Sequence, residues 1–362
     1  MKPRFRILIL ALLVILVMFV HAYSLNSERV EWQYSNGFFP SFAATLRRIS
    51  GWFPISIGDI LYGLAAIWLI IKAWKYFKRI ANARKNKISR QSIYDFLLKT
   101  AIIACSFYII FNVFWAINYN RKGIAWQLGL DMKAYTTSDL KEMNCLLIAK
   151  VNKSKTSLIA NNKNYPSNKL LYQSVYEAYK EAEKEYGFME YEPADLKTSL
   201  WGWLGNYSGF TGYYNPFTGE AQLNTTVPKF LQPFIACHEV AHQVGYAKEM
   251  EANFVGYLAA SASNDTLFHY SVYLELFTYA NRNLFFVDSV AAKLYRKELL
   301  PEVVKDIKEW REFARRHQGP LEPIVRWVYG IYLERNQQPM GILSYDEVTA
   351  FIISFYKKYG FI

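Results

Sequence analysis

The sequence predicts a mostly helical α+β chain, in which three N-terminal transmembrane helices precede a domain built around a metal site. Three observations carry that expectation. Residues 1–118 hold three long apolar segments. Between the second and third, from Lys72 to Arg90, lie eight Lys or Arg and no acidic residue. Far downstream, Cys237-His238-Glu239-Val240-Ala241-His242 sets two histidines four residues apart around a glutamate, just ahead of Glu249 and Glu251.

Ile7 to Val20 is an unbroken apolar run of 14 behind the basic Met1–Arg6. It reads as a retained anchor, residues 5–23, rather than a signal-peptide core: no clean small-x-small cleavage site follows, and more membrane-like sequence does. Residues 24–50 are polar and aromatic, the pattern of an exposed loop or a short interfacial helix. The second span is expected at 57–76, with Asp59 at its boundary because a carboxylate at mid-bilayer is costly. The third is expected at 98–118. A basic N-terminus and a basic loop at 72–94 both belong in the cytoplasm by the positive-inside rule, which puts residues 119–362 on the extracytoplasmic side.

Composition limits the alternatives. The formal charge is +12 over 362 residues, with 52% apolar and 17% aromatic residues. The aromatic excess suits membrane interfaces as well as a packed core. The charge is concentrated in the loop between spans, without an aromatic or glycine-rich recognition pattern, so the expected partner is the lipid bilayer and no nucleic acid. Oligomeric state leaves no mark in the sequence. Three cysteines without C-x-x-C spacing exclude a disulfide framework, a thiolate zinc site and a redox pair. Cys237 reads as a packing residue that faces away from the metal.

Past the spans, Thr137-Ser138-Asp139 can cap a helix through Leu140, Leu146 and Val151. Tyr172–Tyr186 is a second helix with apolar residues at three- and four-residue intervals. Residues 201–229 turn glycine- and tyrosine-rich. Gly212–Glu220 reads as a strand or turn, and Ala221–Thr226 as an extended piece that is either a substrate-pairing edge strand or a structural hairpin. Glu220 reads as a solvated turn carboxylate, ahead of a group that orients a ligand or a substrate amine. Beyond Ala262, helices are expected at 267–284, 285–299, 305–316, 324–333 and 345–356, with a break at Gly319-Pro320. His269 reads as an interior residue and His317 as an exposed one.

The chemistry sits in the histidine motif. Positions i and i+4 share a helix face, so His238 and His242 present two imidazoles to one ion, with Glu239 beside them. That is the H-E-x-x-H arrangement of zinc metalloproteases. Pro233 fits the first turn of such a helix, and Gly245 can end it. A helix over Glu249–Ala262 can return a carboxylate as third ligand, Glu251 first and Glu249 in reserve. The expected cofactor is therefore Zn²⁺ on His238, His242 and Glu251. Glu239 is the expected base that takes a proton from water and returns it to a leaving amine, with a peptide or protein as substrate. Tyr246, His269, Arg326, Tyr329 and Tyr332 stay open as the oxyanion-stabilising group. Two other readings remain: a membrane-anchored scaffold with a structural metal, and a metal hydrolase acting on cell-wall peptides or lipid-linked groups.

Three blocks carry a family resemblance: Phe111-Asn112-Val113-Phe114-Trp115-Ala116-Ile117-Asn118-Tyr119, Asn215-Pro216-Phe217-Thr218-Gly219-Glu220-Ala221, and the stretch from His238 through Gly245-Tyr246 to Glu251-Ala252-Asn253. With Ile55-Ser56-Ile57-Gly58-Asp59, they resemble the DUF3810 family, uncharacterised membrane-anchored proteins of Bacteroidetes-type bacteria grouped with gluzincin-like peptidases. The resemblance covers most of the chain. It implies a zincin-like metallopeptidase domain at 119–362, carried on the bacterial inner membrane by residues 1–118. The Glu-x-Glu-Ala-Asn segment also resembles that of metallopeptidases that cleave phage and stress repressors, where the glutamate before Ala-Asn is the ligand; here that is Glu251. No substrate follows from the resemblance.

Overall fold

A computed structural model describes residues 3–83, 90–319, 322–336 and 347–362. The middle of the basic 72–94 loop and the start of the helix expected at Tyr345 lie outside the described residues. The chain is mostly helical. Three N-terminal helices are long and apolar enough to cross a membrane: α1 (Pro3–Ser24), α3 (Ile57–Ala83) and α4 (Arg90–Phe114), with α2 (Phe39–Ser50) between the first two. Arg6 of α1 donates to Asp95 of α4 at 3.4 Å, so the basic end of α1 lies beside the start of α4. The opposite ends of α1, α3 and α4 meet the rest of the protein.

The third apolar helix starts earlier than expected, at Arg90, and stops at Phe114. Trp115 leaves helical geometry (φ −156°, ψ −55°), and a 3₁₀ turn over Ala116–Asn120 follows. Residues 24–50 also depart from expectation. They form a short helical turn (Ser27–Arg29), a π-helical stretch (Val30–Phe38) and α2, all packed into the body that follows the apolar helices. Some of their polar side chains, Glu31, Ser35 and Arg47 among them, are buried against partners far along the chain. The Arg47 guanidinium donates to the carbonyls of Pro193 (2.8 Å), Glu192 (3.2 Å) and Gln243 (3.3 Å). Glu31 accepts two bonds from Arg121, at 2.7 and 3.2 Å. A polar sequence between two spans looks like loop when its long-range partners are unknown.

That body continues with α5 (Thr137–Ala160), whose N-terminus is closed by a reciprocal Thr136–Asp139 capping box. Next come α6 (Asn168–Glu185), β1 (Leu196–Thr198), β2 (Gly212–Asn215) and β3 (Glu220–Leu223), then α7 (Gln232–Gln243) and α8 (Glu249–Ala262). It ends with α9 (Thr266–Val287), α10 (Ser289–Lys297), α11 (Pro301–Arg316), α12 (Glu322–Arg335) and α13 (Val348–Tyr359). The sheet order is β1–β3–β2, with β1 parallel and β2 antiparallel to β3. The extended piece ahead of α7 is therefore the central strand, flanked on both sides. The edges are β1 and β2, and β1 has no signal in the sequence strong enough to read. Inward residues of α5, α6, α8 and α9, among them Val151, Tyr179, Phe254 and Phe277, form the core that supports α7.

Two buried carboxylates fasten the start of α3 to this sheet. Glu220 accepts from the backbone N–H groups of Ile57 (3.0 Å) and Gly58 (2.6 Å), from Thr218 Oγ1 (2.7 Å) and from Lys197 Nζ (2.7 Å). It is fully buried, not the solvated turn carboxylate its sequence neighbourhood suggested. An anion at a helix N-terminus satisfies otherwise orphaned donors and the helix dipole together. Asp59 accepts from Leu200 N at 2.5 Å and from the Tyr213 hydroxyl. The second apolar helix is thus bonded directly to β2 and β3.

Candidate metal centre

The α7 helix begins with Pro233 in its first turn, where the missing N–H costs nothing, and Gly245 turns the chain just past its end at φ +103°. Between them every residue from Ala236 to Gln243 is buried. The ligand atoms of His238, Glu239 and His242 lie within 4.8 Å of one another. Cys237 points into the core, as the one-residue offset from His238 requires.

The second acidic helix supplies a carboxylate, but from a different residue than expected. Glu249 Oε2 lies 3.2 Å from His238 Nε2 and 3.5 Å from His242 Nε2. Glu251 is on another face of α8. Its Oε1 is 3.9 Å from Lys248 Nζ, and its carboxylate lies against Gly123, where a Cβ would collide with it. At about 100° per residue, side chains two apart on a helix diverge by about 200°, so only one of the two can face α7. α8 comes close because Gly256 has no side chain: a Cβ there would meet the His238 backbone at 3.1 Å.

His242 Nδ1 is 2.7 Å from the Tyr246 carbonyl oxygen. A carbonyl only accepts, so Nδ1 carries a proton, and Nε2 is the nitrogen that faces Glu249 and His238, its lone pair free for a metal when the ring is neutral. Trp115 stands edge-on to the His242 ring at 6.1 Å. On the other side, the Gly212 Cα of the edge strand backs onto Glu239: a Cβ there would sit 2.5 Å from Glu239 Oε1. Glu239 Oε2 has no hydrogen-bond partner among the described residues. A cavity of about 150 Å³ opens beside His238 and Glu239, bounded by Phe210, Gly212, Asn253 and Glu275.

The electrostatics are those of a compact, buried charge cluster. Burial, reinforced by Glu249 and opposed by His242, pushes the Glu239 carboxyl up to about 8. Burial lowers the His242 imidazolium, but the Glu249 carboxylate outweighs it and lifts the group to about 9. Burial also works against Glu249, yet both histidines hold its carboxyl well below the usual range. Burial lowers His238. Two imidazole nitrogens and one ionised carboxylate converging on one point are a donor set that suits a tetrahedral divalent ion with a fourth position for water.

The residues left open for an oxyanion role separate clearly. The Tyr246 hydroxyl donates to Gln127 at 2.6 Å, away from the cluster. Arg326 pairs with Glu322 on the surface. His269 lines a separate cavity with Lys150 and Tyr273. Tyr329 donates to Glu249 Oε1 at 2.7 Å, and Tyr332 is 2.9 Å from the Tyr119 hydroxyl. Only these last two stand near the cluster.

A model of the DUF3810 family, described as a protein of unknown function, matches residues 34–353. The chain therefore belongs to that family. No curated protein and no solved structure matches it.

Proposed function

We propose that this member of the DUF3810 family is a membrane-anchored, zinc-dependent peptidase with a zincin-like catalytic unit. The observation that carries this reading is the convergence of His238, His242 and Glu249 beside a buried glutamate, Glu239, with an open carboxylate oxygen. Glu249 takes the third-ligand role in place of Glu251. A Zn²⁺ ion held there supplies Lewis acidity, lowering the pKa of water and polarising a scissile carbonyl.

The rest falls to the chain's own groups. Glu239 Oε2 accepts a proton from water as its oxygen adds to the carbonyl carbon, then returns that proton to the amine nitrogen as the C–N bond breaks. A carboxyl whose burial raises its pKa suits both halves of that transfer. The β2 edge lies beside Glu239, and Gly212, lacking a side chain, lets that edge pack directly against the glutamate, so a peptide added to β2 in extended form would run next to it. Tyr329 and Tyr332 are the groups placed to steady charge on the carbonyl oxygen. The apolar helices α1, α3 and α4 hold this unit at the inner membrane, and the basic segment between α3 and α4 puts it on the extracytoplasmic side.

The test is metal content together with cleavage of a diverse peptide library, measured on the full-length chain in detergent with and without Glu239→Gln. Metal in both forms with cleavage only in the unsubstituted one supports the reading. Metal in both with no cleavage favours a structural ion.

A further inference from the structure

A second, larger cavity adjoins the metal centre on its membrane side. It measures about 890 Å³ and lies between the outer ends of the three apolar helices and the sheet. Leu25 follows α1, Tyr62 comes from α3, Phe107 and Phe111 come from α4, and Tyr214 and Phe217 come from the β2–β3 hairpin. Leu25, Tyr62 and Phe107 are all exposed, so the cavity opens sideways between the apolar helices. Phe107 sits seven residues before the end of α4, about 10 Å down the helix. The cavity therefore reaches to a depth where acyl chains run.

Its inner wall is shared with the candidate centre. Trp115 lines the cavity and touches the His242 ring edge-on, Tyr214 belongs to the strand that passes Glu239, and Tyr332 is bonded to Tyr119. Its rim is polar, with Asn120, Arg335 and Asn336. Size chooses among apolar occupants. A spanning helix about 30 Å long and about 10 Å across fills roughly 2,400 Å³, far more than the cavity holds. An acyl chain falls within the range of about 300–1,000 Å³ typical of small-molecule sites.

We infer that this cavity binds the acyl chain of a lipid-anchored peptide, and that such lipopeptides are the substrate class of the neighbouring centre. The acyl chain enters between α3 and α4, and the peptide leaves past the polar rim toward β2 and Glu239. The substrate part of this inference rests on the peptidase reading; the acyl site itself does not.

The test separates the two. The full-length Glu239→Gln variant in detergent is photolabelled with a synthetic palmitoyl-peptide carrying a diazirine at mid-chain, and the labelled segments are mapped by mass spectrometry. Label is expected on the segments around Phe107–Phe111 and Tyr332. Excess unlabelled palmitoyl-peptide should reduce it about fivefold or more, and the same concentration of phosphatidylglycerol less than about twofold. Leu25→Trp, which adds bulk at an exposed position, should lower this label. In the unsubstituted enzyme, the palmitoylated peptide should be cut about tenfold faster than the same peptide without the chain, and Leu25→Trp should bring that ratio toward one. Label spread over the outer faces of α1, α3 and α4 regardless of competitor overturns the site. Equal competition by phosphatidylglycerol overturns the lipopeptide as occupant. Cleavage of neither peptide, with specific labelling intact, sinks the peptidase reading and leaves the acyl site standing.

Discussion

Replacing Glu220 by Ala should loosen the joint between the second apolar helix and the three-stranded sheet. The substitution strips acceptors from two buried backbone N–H groups, those of Ile57 and Gly58, and from Lys197 Nζ. Each orphaned buried donor costs about 1–3 kcal/mol. A buried cation that loses its partner costs about 3–5 kcal/mol, but Asp195 remains 3.4 Å from Lys197 and recovers part of that. With that recovery the sum is about 4–9 kcal/mol, a large share of the roughly 5–15 kcal/mol that holds a domain folded. For a body of this size it corresponds to a fall of roughly 10–30 °C in Tm. The assay is thermal unfolding of the full chain in detergent, with hydrogen exchange read at residues 57–60. Exchange there should rise even below the transition, because the cap is local. Pairing Glu220→Gln with Lys197→Met should recover part of the loss, since no charge is then stranded. A Tm drop under about 2 °C for Glu220→Ala, with protected amides at 57–60, would show that Glu220 does not hold the start of α3 to the sheet.

Other consequences follow from the same geometry. Gly212→Ala puts a Cβ 2.5 Å from Glu239 Oε1 and 2.9 Å from the Gln222 carbonyl, so it should displace the Glu239 carboxylate. Peptide cleavage should fall about 100-fold while bound zinc stays near the unsubstituted level, read by kinetics and elemental analysis. The Glu31 carboxyl lies below its ordinary range: burial raises it, and Arg121, through a hydrogen bond and its charge, more than reverses that. A lowered folded pKa means stability that is in place above the unfolded value of about 4.3 and is lost as pH falls through the folded one. Glu31→Gln should therefore cost roughly 3 kcal/mol near neutral pH and flatten the acid limb of the Tm profile. An acid limb as steep as before would show that another group carries it.

Much of this molecule is legible in its sequence, where the signal is local. The α7 helix and the convergence of His238, Glu239 and His242 follow from i, i+4 spacing, with Pro233 before it and Gly245 after it. The α8 limits do too, and the apolar runs mark α1, α3 and α4. What local signal cannot supply is the direction a helix faces once packed. Glu249 and Glu251 are equal in chemistry, and only the approach of α8 to α7, permitted by Gly256, decides which one meets the imidazoles. The same applies to residues 24–50. Glu31 and Arg47 are ordinary surface residue types, and their partners Arg121, Pro193 and Gln243 are far along the chain. Glu220 and Gly58 stand in two separate sequence blocks, and their contact is a fact of tertiary structure. Edge and centre of the sheet were likewise undecidable, because β1 is three residues long and pairs in parallel with a strand more than twenty residues later.

The central claim is a metal site completed by Glu249. The most direct measurement is zinc content of the full-length chain, purified with limiting zinc and compared with Glu249→Ala and Glu251→Ala. About one equivalent is expected in the unsubstituted protein and in Glu251→Ala, with most of it lost in Glu249→Ala. Retention of zinc by Glu249→Ala alongside its loss from Glu251→Ala would show that Glu249 is not the third ligand.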